Sequence, residues 1–144
     1  MSKPPRWSRV LTDTGPLVAI LDESDSQHEH CKEMLRQIQP PLLTCWPVLT
    51  EAAWLLRREQ TAINKLLAGV EVGLLQILDV QGSELAAIDK LLVRYRDQTP
   101  QLADLTLVYL AQREDLETIF TLDRRDFTVF RKKGKSGFQL LPEG

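Results

Sequence analysis

The most informative segment of the chain is Ile119-Phe120-Thr121-Leu122-Asp123-Arg124-Arg125-Asp126-Phe127. It opens as an apolar run typical of a buried strand and then ends abruptly in the carboxylate of Asp123. In parallel α/β sheets, side chains that follow the carboxyl ends of strands line the ligand crevice. An aspartate after a strand also has a simpler backbone explanation, because turns favour this residue type. The stretch therefore predicts a strand that ends beside a crevice or at an ordinary turn.

Apolar patterning along the rest of the chain predicts strands that alternate with helices. Strands are predicted at 10–13, 42–45, 74–78 and 118–121, with an edge strand at 138–141. Helices are predicted at 16–21, 28–38, 47–59, 62–72, 83–96 and 102–114. Because strands separated by helices pair in parallel, this order predicts an α/β domain with helices on both faces of a small sheet.

Composition is that of an ordinary globular protein. The 144 residues carry a net charge of −2, so overall charge does not by itself indicate a nucleic-acid partner. Residues 1–8 are expected to be a flexible extension, because two prolines and scattered charges bury little. A single domain is predicted at 9–144. No signal peptide and no apolar run of about 18 residues is visible, which predicts a cytoplasmic protein without a membrane span.

Three further carboxylates lie in apolar surroundings, namely Asp13, Glu51 and Asp104. Each has a plain alternative explanation. Glu51 and Asp104 would stabilise helix N-termini, whereas Asp13 and Asp123 would be turn residues. Taken together, however, strand ends and helix starts meet at the carboxyl edge of a parallel sheet, so the four acids are expected to converge there.

Four converging carboxylates repel one another. A single pair of like charges near 4 Å costs about 4 kcal/mol at an intermediate dielectric, so such a cluster indicates a bound cation. All-oxygen ligands favour Mg²⁺ or Mn²⁺. One or two such ions can activate water and stabilise phosphodiester hydrolysis without a nucleophilic side chain. The four acids are therefore candidate metal ligands and catalytic residues.

The ordered set of motifs resembles the PIN-domain ribonucleases, and most closely the toxin component of VapC-type toxin–antitoxin pairs. The matching stretches are residues 10–19, 50–52, 102–104 and 121–127. The resemblance implies a three-layer α/β/α sandwich and an Mg²⁺- or Mn²⁺-dependent endoribonuclease. The family's acidic positions fall on the same four residues, and Thr121 matches a polar position that lines the family site.

The resemblance also implies partners. A cognate antitoxin would cover the acidic groove and insert a basic side chain, and the protein would form a homodimer. Arg124 and Arg125 are expected to hold phosphates of the RNA substrate, whereas the lysines up to Lys135 are expected to be solvated. Asp126 lies close enough to support the site, but a cap for a short helix at 127–131 is the preferred interpretation.

Three alternatives remain open at this stage. The first is a standalone RNA-processing nuclease, which sequence cannot separate from a toxin. The second is a catalytically silent binding module, although such a module has no chemical need for a repulsive acidic cluster. The third is a metal-dependent phosphatase or a DNA nuclease, which uses the same ions and the same donor atoms.

Overall fold

A single five-stranded sheet forms the centre of the computed structural model, which describes residues 4–132 and 136–143. Every neighbouring pair of strands is parallel, and the order across the sheet is β3-β2-β1-β4-β5. The strands are β1 (Val10–Thr12), β2 (Leu42–Thr44), β3 (Leu75–Ile77), β4 (Thr118–Phe120) and β5 (Gln139–Leu141). Each predicted strand is confirmed, with β5 at the edge as expected.

Helices connect the strands, as the sequence pattern predicts. Within the described residues the α-helices are α1 (Thr14–Leu21), α2 (His28–Arg36), α3 (Trp46–Leu55), α4 (Gln60–Glu71), α5 (Leu85–Arg94), α6 (Leu102–Glu114) and α7 (Arg124–Phe127). Short 3₁₀ turns lie at Gly82–Glu84 and Arg96–Gln98. The predicted helices through α6 are confirmed, with ends that differ by a few residues.

The strand order reverses direction at β1, which pairs with β2 on one side and β4 on the other. Leu11 is in register with both Leu43 and Ile119. Parallel crossovers are right-handed, so the reversal places the helices before β3 on one face and those between β3 and β4 on the other. The packing agrees, because α1 contacts α2, α3 and α4, whereas α5 contacts α6. The predicted α/β/α sandwich is thereby confirmed.

The hydrophobic core includes β1, β4 and most of α6. Val10 and Leu11 of β1 and Ile119 and Phe120 of β4 have no solvent-exposed surface. Helix α6 is buried on most of its circumference, because its apolar residues join the hydrophobic core and the helix contacts α3 and α5. Asp13, Asp104 and Asp123, which lie at the ends of these elements, are consequently held by well-packed parts of the chain.

Trp7, in the extension that precedes β1, is joined to the segment after α2 by backbone hydrogen bonds. Its backbone N–H donates to the carbonyl of Gln37 at 2.9 Å, and its carbonyl accepts from the backbone N–H of Gln39 at 2.7 Å. The indole packs partly against the core, and this burial gives the segment a reason to be held. The flexibility expected for residues 1–8 stays a prediction, and Trp7 is the residue of this segment that these contacts hold.

The short helix expected at 127–131 is also misplaced. Helix α7 begins at Arg124 and ends at Phe127, and its N-cap is Asp123 rather than Asp126. The side chain of Asp123 already accepts the backbone N–H of Asp126, so the capping role predicted for Asp126 is wrong. The residues that follow are held instead by Phe130, whose ring packs edge-on against Phe127 at 5.2 Å.

Within the residues described here, no helix has both the length and the apolar character that a membrane span requires.

Candidate active site

One open cleft of about 400 Å³ lies at the carboxyl edge of the sheet. Asp13 follows β1 and Asp123 follows β4, which are neighbouring strands at the point where the strand order reverses. Ligands of open α/β sheets bind at this topological position. The residues that line the cleft are Asp13, Thr14, Gly15, Glu51, Leu55, Gln101, Asp104, Leu122, Asp123 and Asp126. The structure thus brings all four predicted acids together.

Two of these acids come from helices that begin at the same edge. Glu51 lies in the second turn of α3, and Asp104 lies in the first turn of α6. Because α3 contacts α6, the two helices deliver their carboxylates to a common space. The four acids therefore reach one cleft from four separate elements, across most of the length of the chain.

Local backbone roles explain only part of this arrangement. Asp123 does cap α7, since its Oδ1 accepts the N–H of Asp126 at 3.2 Å. Asp13 occupies the N-cap position of α1, but its side chain makes no capping hydrogen bond. No acid lies in the first turn of α3, so the helix-dipole explanation does not apply to Glu51. The convergence of these side chains needs another explanation.

Two threonine hydroxyls hold acids of the cleft in place. Thr121 is fully buried, and its Oγ1 donates to Oδ2 of Asp13 at 2.9 Å while accepting the N–H of Asp123 at 3.0 Å. Thr14 Oγ1 donates to Oε2 of Glu51 at 3.1 Å. The predicted position of Thr121 at the site is therefore supported by direct contacts with two of the acids.

Burial and mutual repulsion raise the pKa values of three carboxyls in the cleft. The pKa of Asp104 rises to about 7, first through burial and then through the charges of Asp13, Asp123 and Asp126. The pKa of Asp13 is also raised, mainly by burial, although the Thr14 backbone N–H and the Thr121 hydroxyl oppose the shift. Burial and Asp123 together raise the pKa of Asp126. The cleft is thus a place where negative charge is costly.

The donor set fits a hard divalent cation. All ionisable side chains that line the cleft are carboxylates, and no lysine or arginine is among the described lining residues. In the part of the chain that the structure describes, however, no three His, Cys, Asp or Glu side chains are arranged to hold an ion as they stand. Mg²⁺ keeps several of its waters in proteins, so spaced carboxylates remain chemically suitable for it.

The two predicted substrate arginines lie outside the cleft lining. Arg124 donates from Nη1 to the carbonyl of Pro142 at 2.6 Å, after β5. Arg125 is exposed, and its charge lies close enough to Asp126 to offset part of the rise in the pKa of that carboxyl. Further along, Lys132 pairs with Glu117 at 3.0 Å. The rest of the predicted basic loop, residues 133–135, lies outside the described residues.

Sequence patterns missed several residues of the cleft. Thr14 follows Asp13 directly, and its position at the start of α1 was the available signal for a hydroxyl near the site. Gln101 comes immediately before α6 and lines the cleft beside Asp104. Gly15, Leu55 and Leu122 complete the walls. No pattern in the sequence marks these three apolar or small residues, because they resemble ordinary packing positions.

The strand order and the helical layers agree with the α/β/α sandwich that the resemblance to PIN-domain ribonucleases implied, and the acidic cleft lies at the carboxyl edge of its sheet. No family model matches the chain. It is 28% identical over 138 residues to Ribonuclease VapC26 of Mycobacterium tuberculosis, a match that covers 92% of this chain and 100% of the relative.

Structural comparison agrees with the sequence match. The crystal structure of Mycobacterium tuberculosis VapC20, described as a sarcin-ricin loop cleaving toxin, superposes with a TM-score of 0.67 at 19% identity. The match covers 76% of this chain and 86% of that chain. The resemblance to VapC-type PIN-domain ribonucleases, predicted from the four motif stretches, is confirmed along nearly the whole chain.

Proposed function

We propose that this protein is a metal-dependent endoribonuclease and the toxin of a toxin–antitoxin pair. The single observation that carries the proposal is the convergence of Asp13, Glu51, Asp104 and Asp123 on one cleft. These acids come from two strand ends and two helices, so no local backbone role accounts for the whole set. The ribonuclease name of the sequence relative and the toxin title of the structural neighbour support the same reading.

The four acids would hold one or two Mg²⁺ or Mn²⁺ ions, directly or through water. When bound, such an ion supplies charge stabilisation for phosphodiester hydrolysis and lowers the pKa of the attacking water. The chain's own contribution is positional. Thr121 orients the Asp13 carboxylate through its hydroxyl, and Asp126 adds a further negative charge beside Asp123. Together these groups make the cleft complementary to a cation.

The proposed substrate is RNA, held by phosphate contacts next to the cleft. Both arginines are exposed, and Arg125 is the better placed of the two because it lies near Asp126. Arg124 is already bonded to the carbonyl of Pro142, so it would have to exchange that partner for a phosphate. Phosphate contacts of this kind position the backbone without reading the sequence.

Two protein partners complete the proposal. No lysine or arginine is among the described residues that line the cleft. An antitoxin that inserts a basic side chain there would neutralise the carboxylates. A homodimer is proposed because α3 exposes two large aromatic side chains, with Trp46 at 57% and Trp54 at 63% exposure. Aromatic side chains such as these are enriched at protein interfaces. Light scattering of the purified protein tests the dimer.

The test of the nuclease compares the wild type with Asp13→Asn and with Asp89→Asn. Asp89 is an exposed acid on α5 outside the cleft, so it controls for the loss of one negative charge. Each purified protein is incubated with RNA, single-stranded DNA and a phosphate monoester, with Mg²⁺, Mn²⁺ or EDTA. We expect metal-dependent cleavage of RNA by the wild type and by Asp89→Asn, and none by Asp13→Asn.

Inducible expression in a bacterial host separates a toxin from the alternatives. Growth arrest with discrete RNA fragments, absent with Asp13→Asn, supports a toxin. RNA cleavage in vitro without growth arrest indicates a processing nuclease instead. Growth arrest by both proteins indicates binding without catalysis, and cleavage of DNA or the monoester in place of RNA contradicts the assigned substrate.

A further inference from the structure

Thr14, which directly follows Asp13, makes a side-chain hydrogen bond to Glu51, another acid of the cleft. Thr14 is the first residue of α1 and directly follows Asp13. Its Oγ1 donates to Oε2 of Glu51 at 3.1 Å, although 37 residues separate the two in sequence. Thr14 is itself buried, with 5% exposure, so water competes poorly for its hydroxyl. The contact therefore joins the start of α1 to the middle of α3 at the cleft.

Glu51 needs such a contact more than the other acids do. It is the longest of the four side chains, and its place in the second turn of α3 leaves it without a helix N-terminus to restrain it. Thr14 is the side chain that donates to it among the described hydrogen bonds. The bond engages one carboxylate oxygen and leaves the other available to the cleft.

We propose that Thr14 is a positioning residue that orients the Glu51 carboxylate for divalent-cation binding. This inference rests on the function proposed above and assigns to it a residue that the acidic pattern does not include. Thr14 does not bind the ion in this proposal. It acts through Glu51, in the way that partners of metal ligands orient them and tune affinity by about 10- to 100-fold.

The test compares Thr14→Val with Thr14→Ser. Valine keeps the shape of threonine and removes the hydroxyl, whereas serine keeps the donor and removes the methyl group. The matched control is Thr106→Val, because Thr106 is as buried as Thr14, at 4% exposure, but donates to the carbonyl of Leu102 rather than to an acid. Mn²⁺ binding is measured by calorimetry, and thermal unfolding is measured in EDTA.

For Thr14→Val we expect Mn²⁺ affinity to fall by about 10-fold, and the Mg²⁺ concentration for half-maximal RNA cleavage to rise to match. Thr14→Ser should restore wild-type affinity, and Thr106→Val should retain it. The inference is overturned if Thr14→Val binds Mn²⁺ as the wild type does, or if Thr14→Ser is as weak as Thr14→Val. A wild type that neither binds Mn²⁺ nor cuts RNA contradicts the proposed function itself, which is a separate result.

Discussion

The hydroxyl of Thr121 donates a hydrogen bond of 2.9 Å to Oδ2 of Asp13, although 108 residues separate the two in sequence. The same hydroxyl accepts the backbone N–H of Asp123 at 3.0 Å. One buried side chain therefore sets the positions of the acids that follow β1 and β4. This coupling makes the two strand ends a single unit.

Thr121→Val should destabilise the protein by about 1–3 kcal/mol, because it leaves a buried acceptor and a backbone N–H without their partner. Thr121→Ser should retain most of the stability, since it keeps the hydroxyl. Urea unfolding measures both free energies. Thr44→Val is the matched control, because Thr44 is equally buried but donates to the carbonyl of Thr12. If Thr121→Val loses RNA cleavage while Thr121→Ser and Thr44→Val keep it, the Thr121 hydroxyl is needed for the activity of the site.

The stability of the metal-free protein should fall as pH rises from about 4 to about 8. The folded protein holds the pKa of Asp104 at about 7, above its ordinary value of 3.8. Between these two values the folded state binds more protons than the unfolded state, so the free energy of unfolding decreases with increasing pH. The loss from this one group amounts to as much as about 4 kcal/mol. Urea unfolding in EDTA across this pH range measures it.

Asp104→Asn should remove most of that pH dependence, because asparagine carries no titrating charge. At pH 8 the variant should be more stable than the wild type, while its RNA cleavage is lost. Asp89→Asn, which changes an exposed acid outside the cleft, should leave both properties unchanged. If Asp104→Asn cut RNA at the wild-type rate, the assignment of this residue to the site would be wrong.

Divalent cations should stabilise the wild type. An ion present at 100 times its dissociation constant adds about 2.7 kcal/mol to the free energy of unfolding. Thermal unfolding with increasing Mn²⁺ measures the shift, and EDTA should reverse it. In Asp13→Asn the shift should shrink strongly, because a ligand is lost. An equal shift in both proteins would indicate that the ion binds elsewhere on the surface.

Asp123 has a structural role that can be separated from a role at the site. Asp123→Ala removes the cap of α7 and should cost about 1 kcal/mol of stability. Asp123→Asn keeps an acceptor for the N–H of Asp126 and should cost much less. Both variants remove the negative charge from the cleft, so both should lose metal-dependent cleavage. Full activity in Asp123→Asn would show that Asp123 serves only as a helix cap.

Sequence patterns predicted the architecture well for a physical reason. The three central strands, β2, β1 and β4, are almost fully buried, so they appear as continuous apolar runs such as that of Ile119 and Phe120. The same patterns did not indicate the backbone pairing of Trp7 with Gln37 and Gln39. That pairing is non-local, and a short polar segment carries no periodic signal for it. They also failed near Asp126, because either of two nearby aspartates could cap a short helix.

The alternation of strands and helices, and the four carboxylates that the fold gathers, can be predicted from the amino-acid sequence. Both follow from local chemistry, namely apolar runs and the position of an acid at the end of an element. The pairing of each hydroxyl with its acid, Thr121 with Asp13 and Thr14 with Glu51, is visible only in the folded protein. Hydrogen bonds act over about 3 Å, and only the packing of elements distant in sequence brings such atoms within that range.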